Sequence, residues 1–427
     1  MNSTWQEVEL QEIADFQNGY AFKGDEYVPR SSNGKEVLRM GYIQRGGGFK
    51  EDGKPVYAPL SSRGNDRRYE LDKGDIVIAM TDMKDRVAIL GNCARIPSSN
   101  RFLLNQRVGK IRSKNNKVAN QRFLYYYMNS PSQVHQLRSM ANRGVQVNLT
   151  TASIIESLVF LPPIQHQEEI ANILGTLDDK IELNRKTNET LEEIAKALFK
   201  SWFVDFDQVR AKAEGRPTGL PAEISDLFPD SFEDSELGEI PNGWSVEALS
   251  DIAQISTGKR PVSVAESRSS ANNIPVFGGA GVMGYTCSAL TDGEPILTTG
   301  RVGTLGVVNR VIEKVWISDN TLIINPGRNN FVYVYLFLLR QDLKSLNRGS
   351  TQPLLSQTEL KSLPIARPPA SVLSVFCELT QHWQERQSTL LKENVNIKAL
   401  LDTLLPKLIS GEIRIPDAEK MLEEVRI

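Results

Sequence analysis

Seam positions, apolar except for two asparagines, recur with an unbroken four–three spacing between Ile170 and Trp202: Ile170, Leu174, Leu177, Ile181, Asn184, Asn188, Leu191, Ala195, Leu198, Trp202. That alternation is the seam of a coiled-coil helix. Adding 206 to each number gives Phe376, Thr380, Trp383, Gln387, Leu390, Asn394, Ile397, Leu401, Leu404 and Leu408, with no insertion or deletion. Pro162-Pro163 precedes the first run and Pro368-Pro369 the second, so each helix opens on a proline tolerated in its first turn. The first rod should end near Asp205 and span about 60 Å at ~1.5 Å per residue. Pro406 should kink or end the second, with Gly411 as a stop. Asn188 and Asn394 hold the same seam position in the two copies. A polar seam residue costs stability and fixes register, and this is the role assigned to the pair; two wet, poorly packed points are the alternative. Antiparallel pairing about a pseudo-twofold would set Asn394 opposite Asn188 or Asn184.

The repeat extends to the segments before the rods. Trp5, Leu10, Ile13, Ala14 and Gly19 recur 239 residues later as Trp244, Leu249, Ile252, Ala253 and Gly258. The offset falls from 239 to 206, so the first head is 33 residues longer while the rods stay equal. Short β-type runs punctuated by glycine (Glu36–Met40, Asp75–Ala79, Val87–Leu90, Arg107–Ile111) alternate with one helix at Asn120–Met128, whose repeat partner lies around Phe331–Leu339. The expected fold class is α+β: two similar mixed α/β domains on twisted, mostly antiparallel sheets, joined by two long helices in an antiparallel coiled coil, a pseudo-twofold internal repeat. The expected boundaries are 1–160 and 244–367 for the heads and 161–210 and 368–415 for the rods. An irregular Pro/Gly-rich and acidic linker is expected at 211–243, and a tail at 416–427.

Net charge is −2, and its distribution says more. Residues 1–160 hold 23 Lys+Arg against 16 Asp+Glu, and residues 241–369 hold 12 against 9. The remainder is acidic. Basic heads on acidic rods suit heads that touch a polyanion. Three scattered cysteines and three histidines form no metal-ligand spacing. With no leader-like start or long apolar run, a soluble, reduced, cytoplasmic protein is expected.

Two strings imitate cofactor loops. Phe277-Gly-Gly-Ala-Gly281 satisfies FxGxG and Gly279–Gly284 satisfies GxGxxG. Both require a helix whose N-terminus meets the ligand. Here Tyr285-Thr-Cys-Ser and Asp292-Gly293 follow, which is strand and turn material. No Asp/Asn-Pro-Pro-aromatic string, Walker motif or nucleophile–base pair is present, so no catalytic residue, cofactor or metal is assigned. A self-contained DNA methyltransferase with a fused recognition domain is the alternative these absences weigh against. What recurs instead are loops of Gly with Arg, Lys, Gln and Asn. The DNA-contact candidates in the first head are Lys23, Arg39, Gln44, Arg45, Thr81, Lys84, Arg86, Gln106, Arg107, Arg143 and Gln146. In the second they are Lys259, Arg260, Thr299, Arg301, Asn320, Arg348, Thr351 and Gln352. Thr81–Arg86 is matched to Thr298–Gly303, and Asn105–Arg107 to Asp319-Asn320. Arg donates two bonds to guanine, Gln or Asn pairs with adenine, and glycine lets backbone approach phosphate.

Leu161-Pro-Pro-Ile-Gln-His-Gln-Glu-Glu-Ile170, Leu177-Asp-Asp-Lys-Ile-Glu-Leu-Asn-Arg185 and Ala197-Leu-Phe-Lys-Ser-Trp-Phe-Val-Asp-Phe206 closely resemble the central region of type I restriction–modification specificity subunits. Phe232–Trp244 and Ile274–Tyr285 resemble the same family, and the likeness covers essentially the whole chain. The second rod's entry, Pro369-Ala-Ser-Val-Leu-Ser-Val-Phe376, departs from it by lacking the Gln-x-x-Ile echo. The resemblance implies a non-catalytic subunit with two target recognition domains, each reading half of a bipartite double-stranded DNA site. It further implies that the rods set the gap and dock two modification (methyltransferase) subunits, with restriction (motor-nuclease) subunits joining for cleavage.

Overall fold

The computed structural model describes residues 5–29, 34–51, 54–59, 67–83, 87–143, 146–347 and 353–425. The chain divides into two compact units, Met1–Arg185 with Leu391–Ile427, and Lys186–Leu390. Each unit holds one head and half of each rod.

The first head runs β1 (Gln6–Glu9), α1 (Leu10–Ile13), β2 (Ala14–Asn18), β3 (Lys35–Leu38), β4 (Tyr57–Ala58), β5 (Ile76–Ala79), β6 (Thr81–Met83), β7 (Cys93–Arg95), β8 (Phe102–Leu104) and β9 (Val108–Ser113). Then come α2 (Gln121–Asn129), α3 (Pro131–Ser139), β10 (Asn142–Arg143), β11 (Gln146–Asn148), α4 (Thr151–Ile155) and β12 (Leu158–Leu161), before rod α5 (Ile164–Phe203). The second unit continues with α6 (Asp207–Ala213), α7 (Ala222–Ser225), β13 (Phe232–Ser235), β14 (Gly238–Pro241), β15 (Ser245–Ala248), α8 (Leu249–Ile252), β16 (Gln254–Thr257), β17 (Ile274–Gly278) and β18 (Gly281–Thr286). It closes with β19 (Ile296–Gly300), β20 (Val308–Val311), β21 (Trp316–Ile317), β22 (Thr321–Asn325), α9 (Phe331–Arg340), α10 (Gln357–Lys361), β23 (Pro364–Arg367) and rod α11 (Ala370–Ser410); α12 (Ile415–Val425) follows in the first unit.

The heads share one strand plan. An antiparallel sheet β2-β9-β5-β7 matches β16-β22-β19-β20, and β4-β3-β8, with β3 parallel to β8, matches β18-β17-β21, with β17 parallel to β21. The outer pair β1–β12 matches β15–β23. Register locates the extra length of the first head. The offset is 239 at Val37/Val276, 221 at Ile76/Leu297, 213 at Ile111/Ile324 and 206 at Leu161/Arg367. The insertions therefore fall between β3 and β5, between β5 and β8, and between β9 and β12, all in connections. The strands themselves are not lengthened.

Every expected seam residue of both rods is buried or half-buried. In the second unit Phe203 stacks edge-on against Phe376 (4.8 Å) and Gln387 Nε2 donates to the Asn188 carbonyl (3.0 Å), so the rods run antiparallel there. In the first unit, Ile170, Leu174 and Leu177 join Ile397, Leu404 and Leu408 in one core with Phe123, Leu124 and Met128 of α2. Each half-rod thus completes its own head's core, which is how these helices gain most of their stability. In α2, Asn120 caps the helix by accepting from the backbone N–H groups of Arg122 and Phe123.

Two expectations need correction. Val87–Leu90 is not a strand: the Asp82 carboxylate accepts from the Ile89 and Leu90 N–H groups (2.7 and 3.1 Å), bending the segment into a turn, and the strand forms later at β7. The segment after the first rod is not irregular. It folds into α6, α7 and the β13–β14 hairpin, with Val209 and Phe228 buried beside Trp202. The second rod, α11, runs through Pro406 to Ser410 and stops at Gly411 as expected, where that glycine takes φ +71°.

Candidate nucleic-acid interface

In the first head, β2, β3, β5 and β8 finish at one edge and β9 starts there: Asn18 pairs with Gly109 and Ala79 with Val108. The Asn105–Arg107 turn is tied to both neighbouring exits. Gln106 N–H donates to the Tyr20 carbonyl (2.9 Å) and Met80 N–H to the Arg107 carbonyl (3.1 Å). Gly19 makes this approach possible, because a Cβ there would stand 2.1 Å from the Asn105 carbonyl oxygen. Gln106, Arg107 and Lys23 are exposed.

Arg39 leaves β3 with its guanidinium on the Lys54 carbonyl. The Gln44 amide donates to the Phe49 carbonyl (2.9 Å), closing a glycine loop on which Arg45 is exposed. Gly47 in that loop has φ +97°, and a Cβ would collide with the Asn129 side chain at 2.4 Å. Thr81 places its hydroxyl 2.9 Å from the Met40 sulfur, and Gln146 pairs with Met83 across β11–β6.

The second head repeats the edge. Thr257 pairs with Leu322 and Gly300 with Thr321. Backbone bonds run from Gly258 to Thr321 (3.0 Å), Lys259 to Ile317 (2.9 Å) and Arg301 to Asn320 (2.8 Å). Gly258 plays the part of Gly19: a Cβ would lie 2.3 Å from the Ser318 carbonyl oxygen. Lys259, Arg260 and Asn320 are exposed and Arg301 is half-buried.

Thr299 does not belong to this edge. The sequence match of Thr81 to Thr298 is four residues out, since the strand registers set Ala79 against Gly300 and hence Thr81 against Val302. The bridges agree, Thr81 pairing with Asn148 and Val302 with Leu354. Thr299 therefore corresponds to Ile78, is fully buried, and is out of reach of a duplex. Lys84, Arg86, Arg348, Thr351 and Gln352 lie outside the described residues, and only the backbone of Arg143 is described.

Sequence reasoning missed Arg138. Its Nε donates to the Leu90 carbonyl (2.9 Å) and its Nη2 to the Ala88 carbonyl (3.3 Å). Burial lowers its pKa, the charge of Asp82 opposes that, and the charge of Arg45 adds to it. Arg45 and Arg138 are close enough for their charges to act on each other, so they reinforce one positive region. A lone arginine on a helix carries no glycine-loop signal. Trp316 was missed too: its indole Nε1 donates to the Lys259 carbonyl (2.7 Å) and pins the loop.

The Phe277–Gly281 string closes the β17–β18 hairpin, with Gly278 opposite Gly281. A strand follows it, so no helix N-terminus faces a ligand there. Asn394 lies against Asn184, one of its two possible antiparallel partners: Asn184 Nδ2 donates to Asn394 Oδ1 (2.9 Å) and to the Glu393 carboxylate (2.9 Å). The Asn188 side-chain amide has no hydrogen-bond partner among the described residues, and the contact there is its backbone carbonyl accepting from Gln387 Nε2. No helix among the described residues is long and apolar enough to cross a membrane.

A family model described as the type I restriction modification DNA specificity domain matches residues 2–193 and 241–396. The chain is 27% identical over 68% of its length to the HindI type I restriction enzyme specificity subunit of Haemophilus influenzae, covering 76% of that protein. It is 25% identical over 75% of its length to the MjaIX specificity subunit of Methanocaldococcus jannaschii, covering 75% of it. The crystal structure of a type I restriction-modification S subunit from M. genitalium superposes with a TM-score of 0.56 at 15% identity, over 96% of this chain and 97% of that one.

Proposed function

Since the chain belongs to the type I restriction–modification DNA specificity family, we propose that it is the non-catalytic subunit that reads a bipartite duplex site, one half per head. The observation that carries this is the repetition of one strand-end edge: Gln106 and Arg107 in one head and Asn320 in the other stand on equivalent turns, each closed against a glycine loop that carries Lys23 in the first head and Lys259 and Arg260 in the second. Arg and Gln or Asn match guanine and adenine in the major groove, and the lysines meet phosphate. The rods hold the heads apart and so set the gap, with Asn184–Asn394 and Asn188–Gln387 pinning their register. They also dock two modification subunits, which bring the adenine methylation chemistry; restriction subunits complete the nuclease.

Mapping of methylated adenines, with the modification subunits supplied, tests the division of labour. Replacing Arg45 by alanine should relax the first half-site alone, and replacing Arg301 the second alone, each at a cost of about 1–3 kcal/mol in binding. Lys259→Ala should weaken all sequences and lower the salt slope by about one. Equal relaxation of both half-sites by Arg45→Ala would defeat the proposal.

A further inference from the structure

The reading edge of the second head also presents apolar groups to solvent. Val262 is 97% exposed, Met283 58%, Val282 51% and Val264 41%. They stand on a fixed scaffold rather than a trailing loop. Ala265 and Tyr285 exchange backbone hydrogen bonds of 2.8 and 2.9 Å, clamping the 259–265 segment to β18. Val264 packs over Gly284, where a Cβ would stand 2.3 Å from its Cγ1. Met283 lies near the end of β17, its sulfur 3.2 Å from where a Cβ of Gly278 would be. Val262 follows the exposed cations Lys259 and Arg260 by three and two residues.

The fold does not require this patch. Backbone pairing sets Tyr57 against Tyr285 and Val28 against Ala265, so the first head has Lys54 and Pro55 in place of Val282 and Met283 and Tyr27 in place of Val264, with the charged Lys23 and Asp25 in the stretch that matches Val262. Clustered exposed apolar side chains mark a contact surface, and the flanking cations suit a polyanion. On a duplex, the apolar feature of the major-groove base edges is the thymine 5-methyl group.

We propose that Val262 and Met283 read thymine in the second half-site through its 5-methyl group, a specificity device the first head does not share. This rests on the reading of the heads as duplex readers. The test uses the full chain assembled with its modification subunits and duplexes carrying the mapped site, with thymine or uracil throughout the second half-site. Removing the methyl groups should weaken binding about three- to fivefold per contact. The Val262→Ala, Met283→Ala variant should lose a similar factor on the thymine duplex and no longer distinguish uracil from thymine. Equal wild-type affinity for both duplexes, with salt-sensitive binding intact, overturns the thymine assignment and leaves the duplex-reading proposal standing; no binding to any duplex overturns both. A variant that still discriminates overturns the assignment, as does one that weakens on both duplexes by an equal further factor. Failure of the variant to hold its modification subunits would give the patch to a protein partner and overturn it too.

Discussion

The two heads are seated on their half-rods by different chemistry. In the first unit the aliphatic seat is crossed by polar contacts. Arg122 Nη2 donates to the Gly175 carbonyl (2.9 Å) and to Asp179 (2.7 Å), and the Tyr126 hydroxyl donates to Asp178 (2.7 Å). Glycine within a helix costs about 1 kcal/mol relative to alanine, yet a Cβ on Gly175 would stand 2.3 Å from Arg122 Cζ. The glycine is a notch that lets the guanidinium cross the rod. At 206 residues further on, the rod carries Gln381, Gln384 and Glu385 instead.

The second seat is aromatic. Phe203 meets Phe376 at 4.8 Å and Tyr333 at 4.9 Å, and Trp202 meets Phe228 at 5.0 Å. The first unit has Leu405, Leu408 and Ile409 where the second has Phe199, Trp202 and Phe203. One cation serves here as well: Arg310 donates to Gln387 (2.8 Å) and lies 5.0 Å from the centre of the Tyr335 ring. What repeats within the chain is therefore the spacing of the seam, not the chemistry of the seats. A rod can serve as a spacer for two heads that differ in every contact, provided each is firmly held.

The largest expected effect comes from the aromatic seat. Phe376→Ala should cost about 3–5 kcal/mol, and hydrogen exchange should localise the loss to residues 186–390, leaving the first unit protected. Uniform loss across both units would show that the seats are not separate. Arg122→Ala should cost about 2 kcal/mol in the first unit alone, because it removes the donor to the Gly175 carbonyl and Asp179 and the charge that offsets the burial of Asp178; denaturant unfolding followed by exchange in α2 reads it. Gln387→Leu should cost about 1 kcal/mol in the second unit, leaving the Arg310 guanidinium and the Asn188 carbonyl without that partner.

The smallest effect has the opposite sign. Burial raises the Asp178 pKa, against the Tyr126 hydroxyl and the Arg122 charge, which lower it. A carboxyl raised in the folded state is destabilising once ionised, and that penalty fades as pH falls through the raised value toward the ordinary 3.8. Asp178→Asn should therefore stabilise the first unit slightly at neutral pH, by less than about 1 kcal/mol. The gain should shrink on acidification. Thermal unfolding of both proteins between neutral pH and pH 4 checks this; a variant less stable than wild type at neutral pH would mean that the ion pairing outweighs burial.

The rods were the most legible part of the sequence, because seam periodicity is a local signal that burial then repeats residue by residue. The strands beside glycine turns were legible for a similar reason. Val87–Leu90 was not, since its apolar pattern is overruled by the Asp82 carboxylate, a partner that strand periodicity does not reveal. Thr299 was misplaced because two threonines invite alignment with Thr81, whereas backbone pairing sets the register. Arg138 and the Val262–Met283 patch were invisible, since exposure and neighbourhood decide their meaning rather than residue type. The seats escaped for the same reason: Gly175 reads as a weak point in a helix until Arg122 is seen lying across it.

The central claim is that the rods measure the gap between half-sites. Inserting one heptad after Arg185 and another after Leu390 preserves the Asn184–Asn394 and Asn188–Gln387 contacts and keeps the seam in phase. Seven residues add about 10 Å at ~1.5 Å each, roughly three base pairs at ~3.4 Å per pair. The second half-site then turns by nearly a third of a helical repeat, so some affinity should be lost. Mapping methylated adenines made by the double-insertion protein with its modification subunits should show both half-sites unchanged and the gap longer by about three base pairs. Methylation retained at the original gap would contradict the account.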